Sequence, residues 1–286
     1  MTPAQLKTHS SQLKIQNSQL KTQNSFMDLQ LTNKVIIVTG GSSGIGEAIS
    51  RMVAEEGGIP VIASRNAARN EALVAELVAN GSTAHCITGQ LSDAAFCEKI
   101  VAETFASFGR IDGVVNNAGK NDGVGLESGN PAAFMESLNE NLSHYYNLVH
   151  FALPHLKATN GSIVNISSKV AMTGQGNTSA YAAAKGAQLA LTREWAAELL
   201  PFGIRANAIL PAEVMTPLYE SWIQTFENPA EKLAAITSKI PLEKRMTTAE
   251  EIASATLFLL SARASHITGQ WWVIDGGYVH LDRALT

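Results

Sequence analysis

Within the alanine-rich run TSAYAAAKGA at residues 178–187, a phenol and an ammonium stand four positions apart, at Tyr181 and Lys185. A helix completes a turn in about 3.6 residues, so the two side chains leave one face as near neighbours. An ammonium beside a phenol favours the phenolate, which moves the phenol from a pKa of about 10 towards the range where it exchanges protons near neutral pH. The chemistry offered is general acid–base transfer. A Tyr stem packed on a Lys stem is also ordinary helix-surface packing, and the rest of the chain decides between the two readings.

The elements that would position such a pair are legible as apolar runs rich in Val and Ile, separated by longer helical stretches. The runs are KVIIVTG (34–40), IPVIASR (59–65), TAHCITG (83–89), IDGVVNNAG (111–119), GSIVNISS (161–168), IRANAILP (204–211) and QWWVIDGG (270–277). Continuous apolar runs, unlike alternating ones, indicate strands covered on both faces, the pattern of a parallel sheet with helical crossovers. Seven such strands predict an α/β fold, a single doubly wound Rossmann-type domain with a seven-stranded parallel sheet flanked by helices. Ligands of that architecture collect beyond the carboxyl ends of the strands. At the end of the first strand stands TGGSSGIG, with Gly40, Gly44 and Gly46 leading into the helical pattern EAISRMVAEEG. Glycines there let the chain turn sharply and let a pyrophosphate approach helix amide groups, whereas an ordinary strand-to-helix turn would need no such string.

Composition narrows the class. The 286 residues are 45% hydrophobic and 16% charged, enough for one large core. A formal charge of −4 gives no basic footprint for nucleic acid. Runs such as VIIV and WWVI are far too short to span a bilayer. Two cysteines, Cys86 and Cys97, and no secretory-leader pattern favour a reduced cytoplasmic setting. Seven histidines without an HExxH-type pair point to no metal site. Residues 1–26 repeat QLK at a seven-residue spacing inside Ser-, Gln- and Asn-rich filler, but one leucine per heptad lacks the second seam position of a coiled coil. That segment is expected to be a disordered low-complexity tail, with the folded domain over 27–286 and Met27 a possible natural start.

TGGSSGIG, NNAG at 116–119, the serine of GSIVNISS and YAAAK occur in an order and spacing that resemble the short-chain dehydrogenase/reductase family, and the likeness covers the chain from Met27 onward. The resemblance implies that Tyr181 is the general acid/base, that Lys185 lowers its pKa and bonds a nicotinamide ribose, and that Ser168, thirteen residues before the tyrosine, holds the reacting oxygen. Asn141 matches the asparagine that helps bind a water beside the lysine, with Asn139 as the nearby competitor. Cofactor contacts are implied along Gly40, Ser42, Ser43, Gly44, Ile45 and Gly46, at Ser64, Arg65 and Leu91, at Asn117, Ala118 and Gly119, at Tyr181 and Lys185, and at Pro211, Val214 and Thr216. Two positions depart from the pattern: Ala212 replaces a usual glycine after Pro211, and Gln90 replaces a frequent aspartate.

Cofactor and substrate follow from the same comparison. An acid at the end of the second strand bonds both ribose hydroxyls in NAD enzymes, whereas a guanidinium suits the extra phosphate. Ser64 followed by Arg65 therefore favours NADP, with NAD possible, unless Arg65 is simply a solvated helix-start residue. The segments KNDGVGLESG (120–129) and PAEVMTPLYESWI (211–223) are polar for pocket walls and resemble those of bacterial L-fucose dehydrogenases. Asn121, Asp122, Glu127 and Glu213 then become candidate sugar contacts, although Asp122-Gly123 also reads as a turn and Glu127 as a solvated residue. The expected activity is oxidation of L-fucose or a related aldose at C1 to the lactone. A reductase of a 3-oxoacyl or other small carbonyl compound and a non-catalytic dinucleotide sensor are the alternatives. The helical pattern within 211–246 is expected to form a substrate lid, with Trp222 and Phe226 facing either the pocket or the body. Helices around 130–158 and 179–200 resemble those that pair across subunits in a homotetramer.

Overall fold

The computed structural model describes residues 27–281; the expectation of a disordered tail over 1–26 lies outside the described residues. Among the described residues, seven strands alternate with nine helices longer than a single turn. The strands are β1 (Val35–Thr39), β2 (Ile59–Ser64), β3 (His85–Thr88), β4 (Gly113–Asn116), β5 (Ser162–Ile166), β6 (Arg205–Pro211) and β7 (Trp271–Ile274). Each lies inside one of the seven apolar runs. They form one sheet in the order β3-β2-β1-β4-β5-β6-β7, and every neighbouring pair is parallel. The strands are laid down outward to one side from β1 to β3 and to the other side from β4 to β7, which leaves a crevice at the carboxyl ends of β1 and β4.

The helices are α1 (Gly44–Glu55), α2 (Ala67–Ala79), α3 (Ala94–Phe108), α4 (Pro131–Leu138), α5 (His144–Thr159), α6 (Ser179–Glu198), α7 (Pro217–Ile223), α8 (Pro229–Thr237) and α9 (Ala249–Leu260). Alternate β1 residues point to opposite faces. Val35 and Ile37 join Ile100, Tyr145, Leu148 and Trp195 beneath α3, α5 and α6, while Ile36 and Val38 join Ile49, Val53 and Leu257 beneath α1 and α9. Both faces of the central strands are therefore dry, which is why their sequences are continuously apolar. No helix among the described residues is long and apolar enough to cross a membrane.

Two local departures from regular helix matter for the site. The helical pattern read over 130–158 is interrupted by a π-helical turn, Asn139–Ser143, between α4 and α5. Such a turn accommodates one extra residue and re-aims the side chains around it, here Asn141. A single 3₁₀ turn, Lys169–Ala171, follows β5 and is capped by Ser168.

At the opposite, amino end of the sheet, Asp112 fastens β1 to β4. Its carboxylate accepts hydrogen bonds from Arg110 (2.7 and 2.8 Å), from the Val35 amide (2.9 Å) and from Lys34 Nζ (3.1 Å). Burial alone would push this carboxyl up, but the bonds from Arg110, Val35 and Lys34 together outweigh it and hold the pKa below the usual value. A depressed carboxylate contributes stability above its unfolded pKa of about 4, and that stability is lost as pH falls through the folded value. Asp112→Asn is expected to lower the unfolding free energy by about 2 kcal/mol near neutral pH, and to make stability less sensitive to acid below about pH 4. Urea unfolding at neutral and acidic pH checks both.

Candidate active site

A cleft of about 470 Å³ opens at the carboxyl ends of the strands. Its floor is the β1–α1 turn. Gly44 sits at φ +56°, in the left-handed region, and a Cβ there would also press on Thr216 at 3.0 Å. At Gly46 a Cβ would lie 2.2 Å from the Gly40 carbonyl and 2.5 Å from Asn117 Nδ2, so only glycine lets the turn and the β4 loop meet. Ser43, the residue before α1, makes no side-chain cap. The first amide groups of α1 thus remain without that partner beside a cleft lined by Gly40, Ser42, Ser43, Gly44 and Ile45, an arrangement that fits a pyrophosphate.

The neighbouring loop is held by one hydroxyl. Thr39 Oγ1 accepts from the Asn117 amide (2.9 Å) and the Ala118 amide (3.0 Å), and donates to the Val115 carbonyl (3.3 Å). Asn117 spends its own side chain on the Thr39 carbonyl (2.9 Å), so its part is to shape the loop. Asn117, Ala118 and Gly119 all line the cleft. At the end of β2, Ser64 bonds Asn70 Oδ1 (2.6 Å) and approaches Ser42 Oγ (3.0 Å), while Arg65 is exposed at the cleft wall. Leu91 and Gln90 close that end. Pro211 ends β6, and Val214 and Thr216 line the cleft beyond it, with the Thr216 hydroxyl accepting from the Tyr219 amide to cap α7.

Ser168, Tyr181 and Lys185 line the inner end of this cleft. The Ser168 hydroxyl is near enough to Tyr181 to favour its phenolate, and Lys185 Nζ lies 5.5 Å from the Tyr181 ring centre. Lys185 is only 2% exposed; its nitrogen donates to the Ile166 carbonyl at 2.8 Å, to Gln188 Oε1 at 3.3 Å and to the Tyr145 hydroxyl at 3.4 Å. Burial pushes the lysine down to about 7. Burial also pushes Tyr181 up to about 12, against the influence of Ser168 and with help from the Asp122 charge. Burial thus shifts each group opposite to the direction expected from the two residues alone. Asn141 sits behind the cleft, wholly buried, with Oδ1 accepting from the Lys120 amide (2.8 Å) and Nδ2 donating to the Ser137 carbonyl (3.0 Å).

The four candidate sugar contacts fall outside the lining of the cleft. Asn121 and Asp122 are exposed, with Asn121 accepting from the Gly123 amide in a turn and Asp122 close enough for its charge to act on Tyr181. Glu127 is exposed further along the loop. Glu213 is ion-paired with Lys169, the residue after Ser168, and lies near Tyr219, whose phenol is raised by burial and by this carboxylate. Lys169 also lies 4.3 Å from the centre of the Tyr278 ring. Three residues went unread in the sequence. Arg69, in the first turn of α2, lines the cleft and reaches Ser43 Oγ at 3.5 Å. Tyr145 and Gln188 surround the lysine. The spacing 185/188 carried a signal for the last.

Comparison with known proteins agrees with this geometry. The family model described as enoyl-(acyl carrier protein) reductase matches residues 40–279. The L-fucose dehydrogenase of Mus musculus is 37% identical over 247 residues, covering 86% of this chain and 88% of that protein. Among solved structures, the Cj0485 dehydrogenase superposes with a TM-score of 0.86 at 48% identity, over 91% of this chain and 99% of that one. The ligand-free aldohexose dehydrogenase of Thermoplasma acidophilum superposes with a TM-score of 0.80 at 30% identity, over 88% and 96%.

Because one hydroxyl satisfies two backbone amides, Thr39→Val is expected to cost about 2 kcal/mol of stability and to weaken nicotinamide dinucleotide binding roughly tenfold. Thermal unfolding and a tryptophan-fluorescence titration with the dinucleotide measure the two effects.

Proposed function

The chain belongs to the short-chain dehydrogenase/reductase family, oxidoreductases that act on CH–OH groups with a nicotinamide cofactor, and from that premise we propose that it oxidises L-fucose or a related aldose at C1 to the lactone with NADP. The observation that carries the sugar reading is the polar cluster beside Ser168: Lys169 paired with Glu213, Tyr219 near enough for the Glu213 charge to act on its phenol, and Tyr278 over Lys169. A wall of this kind suits a polyhydroxylated substrate better than an acyl chain, because groups arranged to bond hydroxyls discriminate against analogues that lack them. Glu213 contributes through that cluster, Asn121 and Asp122 from the loop after β4, and Glu127 from further along the same loop. The names of the mouse relative and of the Thermoplasma structure, both sugar dehydrogenases, support the same class.

In the proposed reaction Ser168 bonds the substrate oxygen and Tyr181 takes the hydroxyl proton onto its own oxygen. The bound nicotinamide supplies the hydride acceptor. Lys185 keeps positive charge next to the forming phenolate, and Asn141 holds the π-helical turn behind it. Since burial raises the Tyr181 phenol to about 12, the ionised fraction, and with it the oxidation rate, rises with pH for as long as Lys185 keeps its proton. Reduction runs with the opposite dependence, because it needs the protonated phenol.

The choice of NADP rests on charge. No carboxylate stands at the end of β2, and Arg65 and Arg69 are both exposed there and form no ion pair among the described residues. Two guanidiniums at that edge suit a ribose phosphate. The segment from Pro211 to Met246, containing α7 and α8, acts as the lid: Leu218 of α7 already lines the cleft, and Trp222 stacks edge-on with Tyr219 and Phe226 while remaining 44% exposed. Exposed Met135 and Tyr146 on α4 and α5 support assembly into a homotetramer through the helices around 130–158 and 179–200. Two free cysteines suit a reduced, cytoplasmic setting.

Reduced-cofactor absorbance with a panel of aldoses, then small ketones and 3-oxoacyl thioesters, tests the reading. Aldose turnover lost at least a thousandfold in Tyr181→Phe, with fold and nucleotide binding retained, is the expected result; turnover of acyl ketones alone would replace the sugar with a carbonyl substrate. Arg65→Ala and Arg69→Ala should each weaken NADP about tenfold while leaving NAD nearly unchanged. An equal loss for both cofactors removes the preference for NADP.

A further inference from the structure

Gln188 sits on α6, three residues after Lys185 and on the same face, in an otherwise alanine- and leucine-rich stretch. It is wholly buried. A carboxamide in that position is costly unless both its ends are bonded, and here they are. Nε2 donates to the Asn141 carbonyl at 2.8 Å, and Oε1 accepts from Lys185 Nζ at 3.3 Å. The two contacts fix each other: the carbonyl of Asn141 accepts only, so the amide nitrogen must face it, and the amide oxygen is left facing the ammonium. The Gln188 backbone is also tied down, because its carbonyl accepts from Thr192 Oγ1 (2.7 Å), which in turn accepts from Asn165 Nδ2 of β5 (2.9 Å).

Lys185 therefore has three acceptors for three N–H groups, the Ile166 carbonyl, the Tyr145 hydroxyl and Gln188, and none carries a charge. Of the three, only Gln188 links the lysine to the π-helical turn. We propose that Gln188 is a positioning residue for the reaction: its carboxamide bridges Lys185 to the Asn141 carbonyl, and so holds the lysine as an ammonium beside Tyr181. The titratable groups facing Lys185 are Tyr181 from its own helix and His144 and Tyr145 from α5, while Asp122 acts on Tyr181 from the loop after β4. His144 is held neutral, pushed down to about 3 by burial and then by the lysine charge, and Tyr145 is raised by burial, so neither supplies the charge that would replace the lost acceptor. The inference rests on the acid–base reading of Tyr181 and Lys185 and is independent of which sugar is oxidised.

Gln188→Met keeps the shape and removes both bonds; Gln188→Glu keeps an acceptor for Lys185 and adds charge. In Gln188→Met the lysine loses its proton sooner, so the alkaline limb of the oxidation profile is expected to move down by about one pH unit, and kcat to fall about tenfold with KM changed less than about twofold. In Gln188→Glu the alkaline limb moves up. The near-ultraviolet phenolate band, taken as the difference between each protein and its Tyr181→Phe counterpart, reads the same coupling without turnover: Tyr181 titrates higher in Gln188→Met than in the parent. Unmoved limbs and an unmoved Tyr181 titration in both variants overturn the proposal, whatever happens to kcat, and reduce Gln188 to packing. Undiminished turnover in Tyr181→Phe sinks the underlying acid–base reading instead.

Discussion

Everything in the site is arranged around a lysine nitrogen taken out of water. A buried ammonium is tolerated only where acceptors replace its hydration shell, and Lys185 has them from three directions. The carboxyl end of β5 offers the Ile166 carbonyl, α5 offers Tyr145, and α6 offers Gln188. Tyr145 is itself held by donating to the same Ile166 carbonyl at 3.0 Å. The result is a lysine poised near neutrality, at about 7, whose charge answers to small changes in its surroundings. That is a different device from a surface lysine that is charged at every ordinary pH.

The two halves of the cleft are specified in different ways. The side at β1, β2 and β4 is mainly a backbone matter, made by turns whose shape needs glycine at Gly44 and Gly46 and by a loop pinned to the Thr39 hydroxyl. The reacting end is a side-chain matter, assembled from β5, the π-helical turn, α5 and α6. Next to Ser168 lies an ion pair across 44 positions of sequence, Lys169 to Glu213. Each part hangs on the same parallel sheet, whose strand ends bring residues far apart in the chain to one crevice.

The strands were legible because parallel strands covered on both faces must be apolar at every position, and the glycines were legible because a turn this sharp needs a left-handed residue at Gly44 and leaves no room for a Cβ at Gly46. The Tyr181–Lys185 spacing was legible as a shared face, but the direction of the pKa shifts was not. Periodicity says which residues are neighbours and nothing about how much water the fold removes from them. The π-helical turn was invisible for a similar reason: one added residue leaves no mark in composition and shows only when hydrogen bonds are counted. Glu213 was readable as a polar residue near the substrate loop, yet its partner Lys169 lies on a different strand end, a contact that no local pattern encodes. Gln188 was passed over as one polar residue among alanines, although its three-residue offset from Lys185 was the available clue.

The fastening of β1 to β4 through Asp112 lies at the edge of the sheet remote from the crevice. Anchorage and chemistry are thereby assigned to opposite rims of one platform. Loops on the working rim are free to drift in length and polarity, and substrate preference can diverge between lineages, while the clasp on the far rim keeps the scaffold folding as before.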